Sequence, residues 1–154
     1  MRALIQRVKQ ASVVVDGVQV GGCGYGLLVF LGVSDTDTRA EADRLWSKIS
    51  RLRIFPDEEG KTNLSIADVD GEMCIVSQFT LYASCRKGNR PSFTDAAEPQ
   101  MADELYRYFC ELAQSEIAHV GRGVFGAMMD VELVNDGPFT IWLDTEDLDK
   151  PRRS

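Results

Sequence analysis

The stretch GLLVFLGV at residues 26–33 decides the fold. Residues 27–33 are apolar on both faces of an extended chain, as in a strand buried in the middle of a sheet. Other layers must then cover that sheet above and below. The glycine-rich run GGCGYG at residues 21–26 is expected to be a turn that leads into this central strand.

The chain before the central strand predicts a β-hairpin near residues 12–20. Residues 3–8 and 12–15 are rich in β-branched side chains, which favour strands. Asp16-Gly17, followed by Val-Gln-Val, is typical of a two-residue hairpin turn.

Two later segments predict amphipathic helices. Residues 37–53 form the first, with Asp35 or Thr36 as the expected N-cap; its apolar face carries Ala42, Leu45, Trp46, Ile49 and Leu52. Residues 99–115 form the second, with Pro99 in the first turn; its apolar face carries Met101, Leu105, Tyr108, Phe109 and Leu112.

The remaining segments read as strands and one long loop. Residues 73–83 predict a strand, residues 84–98 a loop, and residues 126–134 and 139–144 two strands joined by the turn Asn-Asp-Gly-Pro at 135–138. With 154 residues, 44% of them apolar, we expect one α/β domain over residues 1–147, its two helices covering mixed, largely antiparallel sheets. Residues 148–154 are expected to form a charged, frayed tail.

Composition excludes several classes of function. No apolar run is long enough to cross a bilayer, so we expect a soluble, cytoplasmic protein without a membrane partner. The four cysteines form no C-x-x-C pair and are expected to be reduced. His119 is the only histidine, and we expect no metal site and no cofactor, since P-loop and dinucleotide-binding motifs are also absent from the sequence.

The charge distribution leaves two interpretations open. The formal net charge of −7 argues against a nucleic-acid partner. Arg86, Lys87 and Arg90 are nevertheless clustered in CRKGNRP at residues 85–91, and Arg152 and Arg153 lie near the end of the sequence. The loop cluster is either a solvated loop or a phosphate-binding site.

Two polar segments interrupt apolar strands: Ser-Gln-Phe-Thr at 77–80 and Asn-Asp-Gly-Pro-Phe-Thr at 135–140. Each is compatible with an ordinary strand or turn. Buried polar groups without partners cost about 1–3 kcal/mol each, so a pocket at the strand's end would explain the first segment. His119 has no serine or cysteine placed beside it by sequence, and we interpret it as structural.

The segments SQFTLYA at 77–83 and NDGPFT at 135–140 resemble the two signature motifs of the D-aminoacyl-tRNA deacylase family, also called D-tyrosyl-tRNA(Tyr) deacylases. The resemblance extends over the chain, including RALIQRV at 2–8 and FGAMM at 125–129. It implies a three-layer β/β/α fold and a homodimer. It also implies metal-independent hydrolysis of the ester bond of D-aminoacyl-tRNA, and of glycyl-tRNA(Ala), which recycles tRNA and rejects L-aminoacyl-tRNA.

The resemblance also implies site residues. One wall of the catalytic pocket is expected to consist of Ser77, Gln78, Phe79 and Thr80. Gly137 and Pro138, joined by a cis bond, are expected to read handedness in trans from the other subunit. The remaining expected contacts are Arg7, which braces this pair, Phe125 and Met129 around the terminal adenosine, and Arg86, Lys87 and Arg90 on the acceptor end of the tRNA.

The expected chemistry uses backbone N–H groups near Phe79 and Thr80 to stabilise the negative charge of a tetrahedral intermediate. Either the Thr80 hydroxyl attacks, or water attacks with help from the terminal ribose 2′-hydroxyl. We favour the second, because no base lies within sequence reach of Thr80. Phe139 is larger than the resemblance leads us to expect, and Ser77 and Phe79 argue against the related class that removes L-alanine.

Two rival interpretations remain at this point. The first is a non-catalytic module that binds the acceptor end of tRNA through the basic residues of 85–91 and through exposed aromatic rings such as Tyr82 and Phe93. The second is a thiol-dependent hydrolase that uses Cys85 and His119.

Overall fold

A computed structural model describes residues 1–152 of the chain. The strands are β1 Arg2–Val15, β2 Val18–Cys23, β3 Gly26–Gly32, β4 Phe55–Pro56, β5 Thr62–Leu64, β6 Glu72–Ser77, β7 Val120–Arg122 and β8 Asp130–Asp144. The helices are α1 Arg39–Ser50, α2 Pro99–Glu116 and α3 Thr145–Leu148, with a single 3-10 turn at Phe79–Tyr82. No helix within this range is long and apolar enough to cross a membrane.

Strand β1 organises the main sheet. Its neighbours β2, β3 and β8 all run antiparallel to it, whereas β6 and β7 continue from β3 in parallel. The first half of β1 pairs with β3 and its second half with β2, and β8 follows its other edge. The expected mixed, largely antiparallel arrangement is confirmed, and β4 with β5 forms a separate small hairpin.

The core has two parts on opposite faces of β3 and β6, which gives three layers. Leu27, Val29 and Ile75 face α1 and α2. Their neighbours Leu28 and Val76 face the other way, toward the second half of β1 and the first half of β8. Because both faces of β3 are covered, the central-strand prediction is confirmed.

The hairpin prediction is also confirmed, but the glycine turn is shorter than expected. Asp16 and Gly17 have φ of 50° and 77°, as this tight turn requires, and Val15 pairs with Val18. Strand β2 continues through Gly21 to Cys23, so only residues 24–25 turn. Gly21 is needed inside the strand because a Cβ there would lie 2.0 Å from the carbonyl oxygen of Arg122 on β7.

Both long helices lie where the sequence predicts them, but the N-cap of α1 was wrongly assigned. Thr38 is the N-cap and forms a capping box with Glu41. Neither Asp35 nor Thr36 takes this role. The neighbouring Asp37 accepts a hydrogen bond from the buried amino group of Met1 at 2.8 Å.

The predicted strand at 73–83 is too long. Strand β6 ends at Ser77, and residues 79–82 form the 3-10 turn. The N–H of Gln78 still donates to Leu31 at 2.8 Å, but β3 ends one residue later, so the chain has no further strand to pair with.

The two strands predicted after residue 126 are one strand, β8, that begins at Asp130. Both halves of β8 pair with β1: Thr140 lies opposite Gln6 and Asn135 opposite Val8. Residues 136–139 therefore bulge outward opposite the single residue Arg7. The Asn-Asp-Gly-Pro segment does not reverse the chain, because β1 is long enough to pair with both halves.

The chain after β8 begins with α3, a turn that the sequence did not predict. Asp144 caps it by accepting from the N–H of Glu146 at 3.0 Å. The helix crosses the domain limit expected at residue 147, and residues 149–152 are neither helix nor strand. Residues 153–154 of the expected frayed tail lie outside the described residues, so that boundary stays a prediction.

Candidate active site

A cavity of about 640 Å³ opens between the end of β6, the start of α2 and residues 125–129. This volume is typical of small-molecule sites. The cavity brings together five of the residues expected to form the site: Ser77, Gln78, Phe79, Phe125 and Met129. Thr80, Arg7, Gly137 and Pro138 do not line it.

The turn after β6 presents backbone donors beside this cavity. The first hydrogen bond of the 3-10 turn runs from the N–H of Leu81 to the carbonyl of Gln78, at 3.3 Å. The N–H groups of Phe79 and Thr80 precede that bond, and the first donors of a helical turn have no partner within it. The local geometry therefore leaves two adjacent backbone donors without a partner inside the turn.

The Thr80 hydroxyl has a neutral neighbour. It accepts a hydrogen bond from the side-chain amide of Gln78, and within residues 1–152 no ionisable side chain hydrogen-bonds to it. An amide is not a general base, so this arrangement does not activate the hydroxyl as a nucleophile.

A basic loop, residues 85–91, projects beside the same turn. Reciprocal backbone hydrogen bonds between Ser84 and Ser92, at 2.7 and 2.9 Å, close its base, and its tip is exposed. The ring of Phe93 packs edge-on against Phe79 with centroids 5.0 Å apart. An aromatic contact just beyond the loop therefore holds its base against the turn at residues 79–82.

The Gly137-Pro138 bond is cis, as expected, and both residues are exposed on the bulge of β8. Asn135 stabilises the bulge, since its side-chain amide donates to the carbonyl oxygens of Arg7 and Phe139 at 3.0 and 3.1 Å. The bulge is therefore held by hydrogen bonds at both of its ends.

Arg7 contacts both neighbours of the Gly-Pro pair. Its Nε lies 2.9 Å from the carboxylate of Asp136, as an ion pair rather than an aligned hydrogen bond. Its guanidinium lies 4.4 Å from the centroid of the Phe139 ring, and its Nη1 donates to the carbonyl of Ile54 at 2.5 Å. This geometry suits the expected bracing role. The large Phe139 provides the stacking surface.

Sequence reasoning missed Asp136 and Phe139 as partners of Arg7. Their position directly beside the Gly-Pro pair was the available signal. Their contact with Arg7 depends on the pairing of β1 with β8, which links residues more than a hundred positions apart.

A family profile, described as D-Tyr-tRNA(Tyr) deacylase, matches residues 4–144. The chain belongs to this family. A D-aminoacyl-tRNA deacylase of Dictyoglomus turgidum is 54% identical over 153 residues, covering 99% of this chain and 98% of that protein. One from Bacillus cereus is 50% identical over 146 residues, covering 95% of this chain and all of that protein.

Two solved structures have the same fold as this chain. The c-Myc DNA Unwinding Element Binding Protein superposes with a TM-score of 0.88 at 42% identity, over 94% of this chain and 98% of that chain. A probable eukaryotic D-amino acid tRNA deacylase superposes with a TM-score of 0.77 at 20% identity, over 92% and 97%.

Cys85 and His119, the residues of the thiol-hydrolase alternative, lie in different parts of the structure. His119 lines a groove along β2 and β7, where its Nε2 is 3.0 Å from the carbonyl oxygen of Gly22. Cys85 is exposed in the basic loop. Burial raises the pKa of the Cys23 thiol to about 12 and those of Cys74 and Cys110 to about 11, so all three are protonated at neutral pH.

Of the two aromatic residues expected to bind RNA, only Phe93 is exposed. Phe93 is 38% exposed, whereas Tyr82 is buried beneath the guanidinium of Arg2, 4.3 Å from its ring centroid. Tyr82 is therefore unavailable for stacking on a base.

Proposed function

We propose that this chain is a D-aminoacyl-tRNA deacylase whose complete active site is assembled between two copies of the chain. It hydrolyses the ester bond between a D-amino acid and the 3′ end of tRNA, in the cytoplasm, where aminoacyl-tRNA is used. Family membership and the pocket beside the catalytic turn support the reaction.

The observation that carries the proposal of a composite site is the separation of its two halves. The cavity contains Ser77, Gln78 and Phe79, whereas Gly137 and Pro138 lie exposed on the β8 bulge and do not line it. Two copies related by a two-fold axis can each insert a bulge into the other's cavity. A homodimer would thus complete both sites.

The Gly-Pro backbone then reads handedness. Carbonyl oxygens of the inserted bulge hold the substrate's ammonium group, and an L side chain is directed into backbone that Arg7 and Asn135 hold in place. A D side chain points into the cavity. Glycine has no side chain to be rejected, so glycyl-tRNA(Ala) is also hydrolysed.

The chemistry relies on position and on backbone donors. Water attacks the ester carbon with help from the ribose 2′-hydroxyl of the terminal adenosine, which lies against Phe125 and Met129. The N–H groups of Phe79 and Thr80 stabilise the oxyanion, and one such donor is typically worth about 2.7–4 kcal/mol. No step requires a metal ion, and the basic loop contacts phosphates of the acceptor end.

Mixed dimers test whether the site is shared. In one variant, Gly137→Val blocks the bulge; in the other, Ala127→Trp fills the cavity that Ala127 lines. Each variant should be inactive alone. Refolding an equal mixture should restore about a quarter of the wild-type sites, because half of the dimers are mixed and each has one intact pairing.

No recovery in a mixture that contains mixed dimers, verified by differently tagged subunits, would contradict the shared site. The alternative of a non-catalytic module that binds the acceptor end predicts a different result. The wild type would then retain D-tyrosyl-tRNA in a binding assay without releasing D-tyrosine.

A further inference from the structure

A second basic surface lies away from the basic loop. A shallow groove of about 740 Å³ runs between α1, residues 51–53 and Leu148 of α3. The charged side chains that line it are Asp43, Arg44, Lys48, Arg51 and Arg53. Basic side chains thus outnumber acidic ones in the groove by four to one, whereas the whole chain has more acidic residues (24) than basic residues (17).

The positive charge of this α1 groove is only partly compensated. Arg44 pairs with Glu41 and Asp149, and Asp43 accepts a hydrogen bond from the Tyr108 hydroxyl at 2.5 Å. Within residues 1–152, Lys48 and Arg51 have no ion-pair partner. Arg53 hydrogen-bonds to the neutral Asn63, and hydrogen bonds from Ser65 together with the more distant Arg53 charge lower the pKa of Asp68. These last three basic side chains are exposed.

The sequence positions explain how helix α1 builds this surface. Residues 44 and 48 are four positions apart on one face of α1, and Arg51, the C-cap, follows three positions later on the same side. The buried residues Leu45 and Ile49 occupy the opposite face, against the core. The basic face therefore remains available for a ligand.

The groove is linked through the chain to the residues that brace the Gly-Pro pair. Arg53 directly precedes Ile54, whose carbonyl oxygen accepts the hydrogen bond from Arg7. Arg7 in turn pairs with Asp136, the neighbour of Gly137. A tRNA whose 3′ end reaches the Gly-Pro bulge can therefore place backbone phosphates on this surface.

We infer that the α1 groove binds the sugar-phosphate backbone of the tRNA substrate beyond its 3′ end. This inference rests on the proposed function, because the Gly-Pro bulge locates the aminoacyl end. Phosphate contacts fix the register of a nucleic acid without reading its sequence. On an otherwise acidic protein, a localised basic surface would also limit the orientations in which tRNA binds.

The test compares two variants with the same change in charge. Lys48→Gln, Arg51→Gln and Arg53→Gln remove the three exposed basic side chains of the groove that form no ion pair. The control carries Arg39→Gln, Lys61→Gln and Arg107→Gln, three exposed basic residues outside the groove. A double variant with Lys48→Gln and Arg51→Gln retains the Arg53 contacts with Asn63, and melting temperatures report folding.

Two substrates separate the groove from the active site: D-tyrosyl-tRNA and the D-tyrosyl ester of adenosine. For the groove variant, KM for D-tyrosyl-tRNA at low salt should rise about tenfold, and the slope of log affinity against log salt should become shallower by about 3, or about 2 for the double variant. Hydrolysis of the adenosine ester and kcat should be unchanged. The control should behave like the wild type.

The inference is overturned if the groove and control variants share the same KM and salt slope, or if both substrates are affected equally. Binding of uncharged tRNA, followed by fluorescence anisotropy against salt, measures the same slope without turnover. An inactive wild type would therefore refute the proposed function, while the anisotropy slopes would still decide whether the groove binds tRNA.

Discussion

Replacement of Gly137 by alanine separates the role of this residue in folding from its role in recognition. An ideal Cβ built at Gly137 lies 3.5 Å from the side-chain oxygen of Asn135, an ordinary van der Waals contact, and meets no other atom within 4 Å. The residue is exposed, and its φ is not in the left-handed region. The chain itself therefore has room for the methyl group.

The expected effects on stability and activity have opposite signs. A Gly→Ala change at a compatible backbone stabilises a protein by about 0.4–1 kcal/mol, because it reduces the conformational freedom of the unfolded chain. In the proposed composite site the same methyl group would lie between the carbonyl oxygens and the substrate's ammonium group. A displacement of the substrate by about 1 Å can lower the rate roughly 100-fold.

Urea unfolding measures the first quantity, and single-turnover release of D-tyrosine from charged tRNA measures the second. The Gly137→Ala variant should unfold at an equal or higher urea concentration and hydrolyse about 100 times more slowly. Wild-type activity in a normally folded variant would refute the reasoning, because the Gly137 backbone would then not approach the substrate closely.

Four further predictions follow from particular contacts. Thr80→Ala should keep most of its D-tyrosine release, because the proposed chemistry uses the Thr80 backbone N–H and not the hydroxyl; complete loss with intact folding would restore Thr80 as nucleophile. Arg7→Met should lower the free energy of unfolding by about 3 kcal/mol in urea, since it leaves the partly buried Asp136 unpaired. Changing all three basic residues of the basic loop to alanine should reduce the salt slope of tRNA binding by about 2. Iodoacetamide should modify Cys85 alone without loss of activity, as mass spectrometry and the release assay can show.

The sequence predicts those parts of the fold that depend on local chemistry. The Asp16-Gly17 turn, the apolar stretch of β3 and the apolar faces of both long helices were all readable, because each depends on residues close together in the chain. The predicted N-cap of α1, Asp35 or Thr36, is wrong, although the capping-box spacing of Thr38 and Glu41 was present in the sequence. The role of Asp37 cannot be predicted from local sequence, because its hydrogen-bond partner is the distant amino group of Met1.

The prediction failed where distant pairing overrides local preference. Asn-Asp-Gly-Pro has the composition of a turn, yet β1 holds both sides of it in one strand. The bracing of the bulge by Arg7 entered only through the resemblance to known deacylases, since no spacing rule joins residues 7 and 136. The sequence predicts the α1 groove only in part. The helical spacing of its α1 residues is visible in the sequence, but Arg53 and Leu148 join them only in the folded chain.

The most direct test of handedness read by the backbone compares release from D-tyrosyl-tRNA and from L-tyrosyl-tRNA, each with and without EDTA. We expect rapid release of D-tyrosine by the wild type, no significant release of L-tyrosine, and the same rates in EDTA. Efficient release of L-tyrosine, or loss of D-tyrosine release in EDTA, would contradict a site that reads handedness with backbone and hydrolyses the ester without a metal ion.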